Sequence, residues 1–425
     1  MAIWSPSSPL PPLRARLEAV PVEDEGKPLF LLRDLEEIAP STLAMSAGGM
    51  LAASLFDGKR TAADISGLFG KATGQFLKPE EILSLADELD RALLLETEPV
   101  AKKRGEIVER FRQSLSRKAA FAGVSYPAEP LELGGLLGGF FKHPQGPGQE
   151  PAAQALKPPP LLVVSPHIDF HRGGPSYAWA YQALSQCRPP DLIVALGVAH
   201  MSPNSPWAAT RKAYETPYGP VAADEGLYED LRGSLWYDPA EDETVHRGEH
   251  SLEFQAVWLK HLWRDKTPPW LPVLCSSFER FSPDEPPSKV ATVEKALVDW
   301  GEKIKARHAA GQSVMILAGV DLAHVGPRFG DDVEVDEALA KRVEEGDRAS
   351  IARALELDAD GFYRSAAGEA AWRKVCGLSA LYTELRLAKI IGGQGAAAPG
   401  RLLSYGQAPD PAGGIVSFCS AVFPG

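Results

Sequence analysis

Histidines and acidic residues gather where apolar stretches of this sequence end. The stretch VVSPHIDFHRGG, residues 163–174, begins as a predicted buried strand and ends as a polar loop with His167, Asp169, His171 and Arg172. Imidazole and carboxylate groups bind metal ions and move protons. A buried strand that ends in such groups predicts a metal site or an acid–base site.

Two further apolar runs end in the same way. LIVALGVA is followed by His200, and MILAGV leads to Asp321 and His324. Ligands in open α/β sheets bind beyond the carboxyl ends of the strands, so we expect these side chains on one shared rim. A single histidine at a strand end is usually a satisfied polar residue, and the prediction therefore depends on the whole set.

Two more segments carry candidate groups. His250 lies in HRGEHSLEF, directly before a predicted helix, and Cys376 precedes the predicted helix of GLSALYTEL. The dipole at a helix N-terminus lowers the pKa of a thiol, which makes Cys376 the expected reactive or metal-binding cysteine. We interpret the other cysteines as core or surface thiols: Cys187, Cys275 and Cys419. Four scattered cysteines fit neither a disulfide framework nor a CxxC zinc site.

The elements that must position these residues follow an alternating pattern. From residue 160 onward, apolar strands such as LLVVSP, DLIVALGVAH, WLPVLCSSF, SVMILAGVD and GIVSFCSAVF are separated by helical stretches such as SYAWAYQALSQ. Near-continuous apolar runs between helices are typical of a sheet covered on both faces. We therefore expect an α/β fold with a central, mostly parallel or mixed sheet flanked by helices.

The first hundred residues predict a separate small domain. Thr61 carries an N-cap pattern before AADISGLFG, and Pro79 opens a second amphipathic helix over EILSLADELDRALLLE. The next stretch, LLETEPV, is predicted to return as a strand, which makes residues 1–100 a winged-helix-like domain. Residues 101–117 predict a charged linker helix, and residues 118–425 form the predicted α/β domain.

Composition limits the classes of partner. The chain has 425 residues, more than one core usually organises, with 44% hydrophobic and 24% charged residues. Its formal net charge of -12 argues against nucleic acid as a partner and favours small molecules or proteins. Because no apolar run approaches the roughly 18 residues of a membrane span, we expect no membrane partner and a cytoplasmic location.

The motifs in the two predicted domains carry two resemblances. LFDGKRTAADISGLFG followed by ILSLADELDRALLLE resembles the PqqD-like winged-helix fold, whose members grip leader peptides; a DNA-binding or purely structural packing domain is the alternative. AGVSYPAEPLEL, SPHIDFHRGGPSYAWAYQAL, GVAHMSPNSPWAATRKAYETPYGPV, EHSLEFQAVWLKHL, DLAHVGPRFG and CGLSALYTEL together resemble the Memo family, also called AmmeMemoRadiSam system protein B. That resemblance implies a fold similar to class III extradiol dioxygenases and a radical SAM protein as partner.

The Memo resemblance also implies a ligand set. It places His167, His200 and Cys376 as metal ligands, two imidazoles and one anionic thiolate, with open positions for oxygen and substrate. Iron is the expected metal, and copper or zinc are the alternatives. The resemblance adds three pocket residues as catalytic candidates: Asp321, His324 and His250. We expect His324, held by Asp321, to act as the acid or base.

The first loop departs from the family pattern. Memo proteins tend to read PHAGYxYSG where this chain has PHIDFHRGG. Asp169, His171 and Arg172 therefore add charge and a further candidate ligand at the mouth of the site. We assign these three residues to the recognition of this chain's own substrate or partner.

Three functional hypotheses follow from the sequence. The first is a metal-dependent oxidoreductase that acts on a small molecule or a modified peptide, with the N-terminal domain recruiting substrate or partner. The second is a non-catalytic metal-binding scaffold that holds a partner protein or peptide in the ancestral dioxygenase pocket. The third is an amidase-like reaction with Cys376 as nucleophile and His324 as its base.

Overall fold

The structure is a computed structural model, and it divides into two compact units. It describes residues 4–24, 27–34, 36–152, 157–201, 203–282, 285–393, 399–410 and 412–425. The N-terminal unit comprises Met1–Gln113 and the C-terminal unit Ser114–Gly425. The division falls inside the segment 101–117 that the sequence assigned to a linker helix.

Within its described residues, the N-terminal unit combines a three-stranded antiparallel sheet with four helices. The strands, in the order β1-β2-β3, and the helices are β1 (Leu17–Asp24), β2 (Lys27–Asp34), β3 (Leu43–Ser46), α1 (Ala47–Ser54), α2 (Ala62–Thr73), α3 (Pro79–Arg91) and α4 (Glu98–Gln113). Thr61 caps α2 in a capping box with Asp64, and Pro79 is the first residue of α3, so both predicted helix starts are confirmed.

One prediction for the N-terminal unit is wrong. The stretch LLETEPV does not return as a strand, because only Leu95 forms an isolated bridge, to Leu13, and α4 already begins at Glu98. The acidic residue in the first turn suits the positive end of the helix dipole. The winged-helix and peptide-binding interpretation of this unit stays a prediction.

The C-terminal unit contains ten strands and eight α-helices within the described residues. The strands are β4 (Ser116–Arg117), β5 (Leu162–Ser165), β6 (Leu192–Val198), β7 (Trp207–Ala209), β8 (Ala213–Tyr214), β9 (Trp270–Cys275), β10 (Val314–Gly319), β11 (His324–Val325), β12 (Arg401–Asp410) and β13 (Gly414–Phe423). The helices are α5 (Pro130–Lys142), α6 (Phe170–Ser185), α7 (Glu225–Arg232), α8 (Ser251–Trp263), α9 (Ala291–Ala309), α10 (Glu337–Leu355), α11 (Ala359–Ala366) and α12 (Leu378–Gly392).

The predicted α/β fold with a mixed sheet is confirmed. The eight-stranded sheet has the order β11-β13-β5-β10-β6-β9-β7, and β12 pairs with β13. Strands β5, β10, β6 and β9 run parallel, whereas β13, β12, β11 and β7 pair antiparallel with their neighbours. Every residue of the four parallel strands is buried, as the continuous apolar runs predicted.

Two hydrophobic clusters cover the sheet. One joins alternate strand residues such as Val194 to α9 and α12, and the other joins the intervening residues such as Ile193 to α6 and α8. This alternation is the period of two that a strand imposes on its side chains. Among the described residues, no helix combines the length and apolar character needed to cross a bilayer.

Candidate metal centre

The strand order brings the predicted site residues to one edge of the sheet. Strand β10 lies between β5 and β6, and all three run parallel. His167, His200 and Asp321 each follow the last residue of their strand by two positions. The shared rim expected from the sequence is therefore present in the C-terminal unit.

Three imidazoles form a compact cluster at this rim. One ring nitrogen each of His167, His200 and His250 lies within 4.8 Å of the others, and the ring centroids are 4.8 to 5.2 Å apart. His167 is buried, His250 is half-buried and His200 is the most exposed of the three. His250, predicted as a pocket residue, thus joins two predicted metal ligands.

Hydrogen bonds fix which nitrogen of each ring is available. The Nδ1 of His167 lies 2.9 Å from the Gly319 carbonyl, which can only accept, so Nδ1 donates there and Nε2 is the nitrogen that faces Cys376 and the cluster. The Nδ1 of His200 lies 3.0 Å from a Glu249 carboxylate oxygen and that of His250 lies 3.3 Å from the same oxygen. Such partners commonly orient metal-binding imidazoles.

Glu249 is the carboxylate that orders the histidines, a role that its residue type and position alone do not predict. Its side chain is 2% exposed and accepts hydrogen bonds from the backbone N–H groups of His200, at 2.9 Å, and Ser251, at 3.0 Å. Burial by itself would raise the pKa of this carboxyl, but His200 and His250 hold it well below its usual range. Its place directly before His250 was the one available signal.

A buried ion pair holds the backbone of Glu249. Arg117 donates to the Glu249 carbonyl at 2.7 Å and forms an ion pair with Glu253. Both Arg117 and Glu253 are fully buried. Glu253 also accepts from the Tyr126 hydroxyl and from the backbone N–H of Phe121, at 2.9 Å. Because every charge here is paired and hydrogen-bonded, the network holds one geometry.

Two glycines allow α8 to reach the strand ends. A Cβ atom on Gly197 would lie 2.5 Å from the Ser251 hydroxyl, and one on Gly319 would lie 2.6 Å from the Ser251 carbonyl. Only glycine permits this approach. Ser251 then donates to the Val198 carbonyl at 3.0 Å, which places His250, the residue before Ser251, next to the end of β6.

The predicted thiol ligand lies beside the cluster. The Sγ of Cys376 is 3.4 Å from the Nε2 of His167 and 3.7 Å from the Asp321 carbonyl. Burial by itself would raise the pKa of Cys376, but the imidazoles of His167 and His324 lower it well below its ordinary value. The residue immediately precedes Gly377, the N-cap of α12, as the sequence predicted. Its assignment as a metal ligand stays a prediction.

Asp321 and His324 reach the same site but do not form the expected pair. The buried carboxylate of Asp321 accepts the backbone N–H of His167 at 2.9 Å and lies 3.6 Å from its Nε2. His324 instead has its Nδ1 3.2 Å from the Leu322 carbonyl, and its ring meets Phe329 edge to face at 5.1 Å. Asp321 therefore anchors His167 rather than His324.

The first loop is a helix start in the structure. Helix α6 begins at Phe170, because the Asp169 carboxylate caps it by accepting the backbone N–H of Arg172 at 3.2 Å. The prediction of a polar loop over His171 and Arg172 is therefore wrong, because both residues lie in α6. The same carboxylate pairs with the Arg172 guanidinium at 2.5 Å, and His171 is exposed. The role of these three residues in substrate or partner recognition stays a prediction.

A cavity of about 350 Å³ adjoins the centre. His200 and Cys376 belong to its wall, together with polar residues such as Ser277, Glu279 and Lys374. The apolar part of the wall includes these residues: Val198, Ala199, Cys275, Ala366, Ala371, Val375 and Leu378. The centre therefore borders a space that a small organic molecule or a single peptide side chain could fill.

Comparison with known proteins identifies the family. The family described as "Memo-like protein" matches residues 117–422. The chain belongs to the Memo family. Among its Memo relatives, a MEMO1 family protein from Aquifex aeolicus is 29% identical over 289 residues, 68% of this chain and 70% of the relative. One from Methanopyrus kandleri is 28% identical over 313 residues, 73% of this chain and 99% of the relative.

A solved structure gives only a weak likeness. An uncharacterized protein from Escherichia coli K12 aligns with a TM-score of 0.34 and 14% identity, over 61% of this Memo-family chain and 98% of its own. Such a likeness carries no argument about the fold. The expected similarity to class III extradiol dioxygenases therefore stays a prediction.

Proposed function

We propose that this Memo-family protein binds a metal ion at His167, His200 and His250 and is a non-haem metal-dependent oxidoreductase. Its substrate would be a small molecule or a modified peptide. The observation that carries the proposal is the cluster of three imidazoles whose ligand atoms lie within 4.8 Å of one another. The cluster forms at the carboxyl ends of parallel strands, where α/β proteins bind ligands.

The donor set fits a transition metal. Burial lowers the pKa of His250 to about 3, which leaves this imidazole neutral and able to donate a lone pair. Burial by itself would also lower the pKa of His167, but Asp321 and Cys376 raise it to about 9, so a metal must displace a proton there. Three nitrogens beside a thiolate suit iron, our first choice, and also copper or zinc.

Each remaining group has a place in this proposal. Bound iron would supply redox chemistry to a substrate beside it. The cavity next to Cys376 would hold that substrate and exclude water, and His324, which lies on the thiol's side of the cluster, would hold or move a proton. The N-terminal unit would recruit the substrate or a radical SAM partner. The four free thiols agree with a reducing, cytoplasmic location.

Elemental analysis of anaerobically purified protein tests the centre. We expect about one iron per chain in the wild type and a loss of most of it in His250→Ala. Cys376→Ala, measured in parallel, decides whether the thiolate is a fourth ligand. The exposed His143 provides the control, because His143→Ala should keep the full metal content. Full metal content in His250→Ala would show that the three imidazoles are not the ligand set.

Oxygen consumption with candidate catechols separates an enzyme from a scaffold. Sustained uptake that is lost in His200→Ala would support the oxidoreductase. A metal-loaded protein that consumes no oxygen with any candidate would favour the scaffold that binds a partner in the same pocket. The thiol beside the cluster, in place of the carboxylate expected of a dioxygenase, is the observation that keeps the scaffold as the second candidate.

A further inference from the structure

A buried carboxylate outside the site connects two of the segments that build it. Asp347 lies on α10 and is fully buried. One of its oxygens accepts from the Arg373 guanidinium at 2.5 Å. The other accepts from the Ser417 hydroxyl at 2.5 Å and from the Tyr405 hydroxyl at 3.1 Å. The two oxygens thus bind donors from different parts of the chain.

The first connection leads to the thiol. Arg373 is 1% exposed, and its guanidinium also donates to the Ser365 carbonyl at 2.6 Å and to the Ser350 hydroxyl at 2.9 Å. The next residue, Lys374, has the left-handed backbone conformation, with φ of 48°. A lysine rarely adopts this conformation unless its neighbours enforce it. Arg373 therefore fixes the start of the short segment that ends at Cys376.

The second connection leads to the aspartate and His324. The Ser417 hydroxyl accepts the backbone N–H of Ala323 at 2.8 Å while it donates to Asp347. The Ser417 carbonyl accepts the N–H of Leu322 at 2.8 Å, and its own N–H donates to the Ala323 carbonyl at 2.9 Å. These bonds hold the two residues that separate Asp321 from His324.

The two segments also bind each other directly. The N–H of Cys376 lies 3.2 Å from the Leu322 carbonyl, and that of Gly377 lies 3.1 Å from the Asp321 carbonyl. A Cβ atom at Gly377 would lie 2.5 Å from that same carbonyl. The contact therefore tolerates little displacement, and a shift of either segment moves the other.

We infer that Asp347 is a positioning residue, which sets the distance between Cys376 and the Asp321–His324 segment through Arg373 and Ser417. A carboxylate is required because it offers an acceptor to both donors and balances the arginine charge. An asparagine of the same shape would turn its NH₂ group toward one of them. The inference rests on the proposed function only because the positioned groups belong to the proposed centre.

Amide hydrogen exchange on the metal-free full chain tests the inference without a metal. In Asp347→Asn we expect the amides at 322, 323, 376 and 377 to exchange roughly tenfold faster, relative to the rest of the C-terminal unit. Ser417→Ala should accelerate those at 322 and 323 more than those at 376 and 377. Tyr405→Phe is the matched control, because it removes a hydrogen bond to the same carboxylate but reaches neither segment.

The outcomes distinguish positioning from general stability. Faster exchange in both segments with Asp347→Asn, and in neither with Tyr405→Phe, supports the inference. A uniform acceleration across the unit, equal in the two variants, overturns it. If Asp347→Asn does not fold, the segment-specific response of Ser417→Ala decides the question. A protein that binds no metal would refute the proposed function and still give the expected exchange pattern.

Discussion

The two sides of the candidate centre are held by different means. On the histidine side, the side chain of Glu249 contacts His200 and His250 directly. On the thiol side, Cys376 and His324 are placed through backbone hydrogen bonds of the segments that carry them. Each side has a buried acid–arginine pair behind it: Glu253 with Arg117, and Asp347 with Arg373. A similar buried acid–arginine pair therefore stands next to side-chain contacts on one side and next to backbone contacts on the other.

Removing the charge of Glu253 should have the largest effect on the histidine side. Glu253→Gln leaves the fully buried Arg117 without its counter-charge, and breaking such a pair typically destabilises a protein by about 3–5 kcal/mol. Urea unfolding of the full chain, followed by tryptophan fluorescence, measures this change. Lys295→Gln, at the exposed pair with Asp299, should leave the unfolding midpoint nearly unchanged. An equally small effect of Glu253→Gln would show that the Arg117–Glu253 pair does not contribute to the stability of the fold.

Alanine substitutions at Gly319 and Gly377, which both pack closely against a backbone carbonyl, should affect the two sides of the centre separately. Gly319→Ala places a Cβ atom 2.6 Å from the Ser251 carbonyl on the histidine side, and Gly377→Ala places one 2.5 Å from the Asp321 carbonyl on the thiol side. We expect each to destabilise the unit by about 1–3 kcal/mol, because backbone must move. Amide exchange should show the local opening on the substituted side alone. Gly248→Ala meets no atom within 4 Å and serves as the control.

The sequence predicts the strand ends well because their pattern is local. His167, His200 and Asp321 follow short apolar runs of the kind that favours buried strands, and the sheet order brings them together. His250 could not be placed from spacing, since its position depends on how closely α8 approaches the sheet. Asp169 caps a helix where the sequence predicts a loop, because the same residue types serve both purposes.

The supporting network was missed for a different reason. Arg117 and Glu253 are 136 residues apart, and Asp347 is 70 residues from Ser417. Charged residues are usually exposed, so nothing in their local sequence indicates burial. Only the tertiary packing pairs them. Long-range buried charges are therefore the part of this site that a single sequence does not reveal.

Glu249→Gln should weaken metal binding more than any change behind the thiol. The amide keeps the size of Glu249 but removes the negative charge that orients His200 and His250, and loss of such a partner typically lowers metal affinity about 10–100-fold. Competition titration with a chelator measures the affinity. Asp347→Asn, on the thiol side, should lower it less. A larger loss of metal affinity in Asp347→Asn than in Glu249→Gln would mean that Cys376, rather than the histidines, dominates metal binding.

The pH dependence of stability offers the finest test of the histidine side. His246 is fully buried, its Nδ1 lies 2.6 Å from the Tyr214 hydroxyl, and its carbonyl accepts from Arg117. Burial lowers the pKa of His246 to about 3. The unfolded chain, where a histidine has its ordinary pKa of about 6.5, therefore binds the proton more readily. The contribution of neutral His246 to the stability of the folded chain is fully present above pH ~6.5 and is lost as the pH falls toward about 3.

Between pH 6.5 and 5.5, proton uptake by His246 in the unfolded chain lowers the free energy of unfolding by about 1 kcal/mol. Urea unfolding at the two pH values should therefore show a loss in the wild type that is about 1 kcal/mol larger than in His246→Gln, which has no imidazole to protonate. His143→Gln, at an exposed position, should keep the wild-type dependence. If His246→Gln also keeps the wild-type pH dependence of the unfolding free energy, His246 is not held neutral in the folded state.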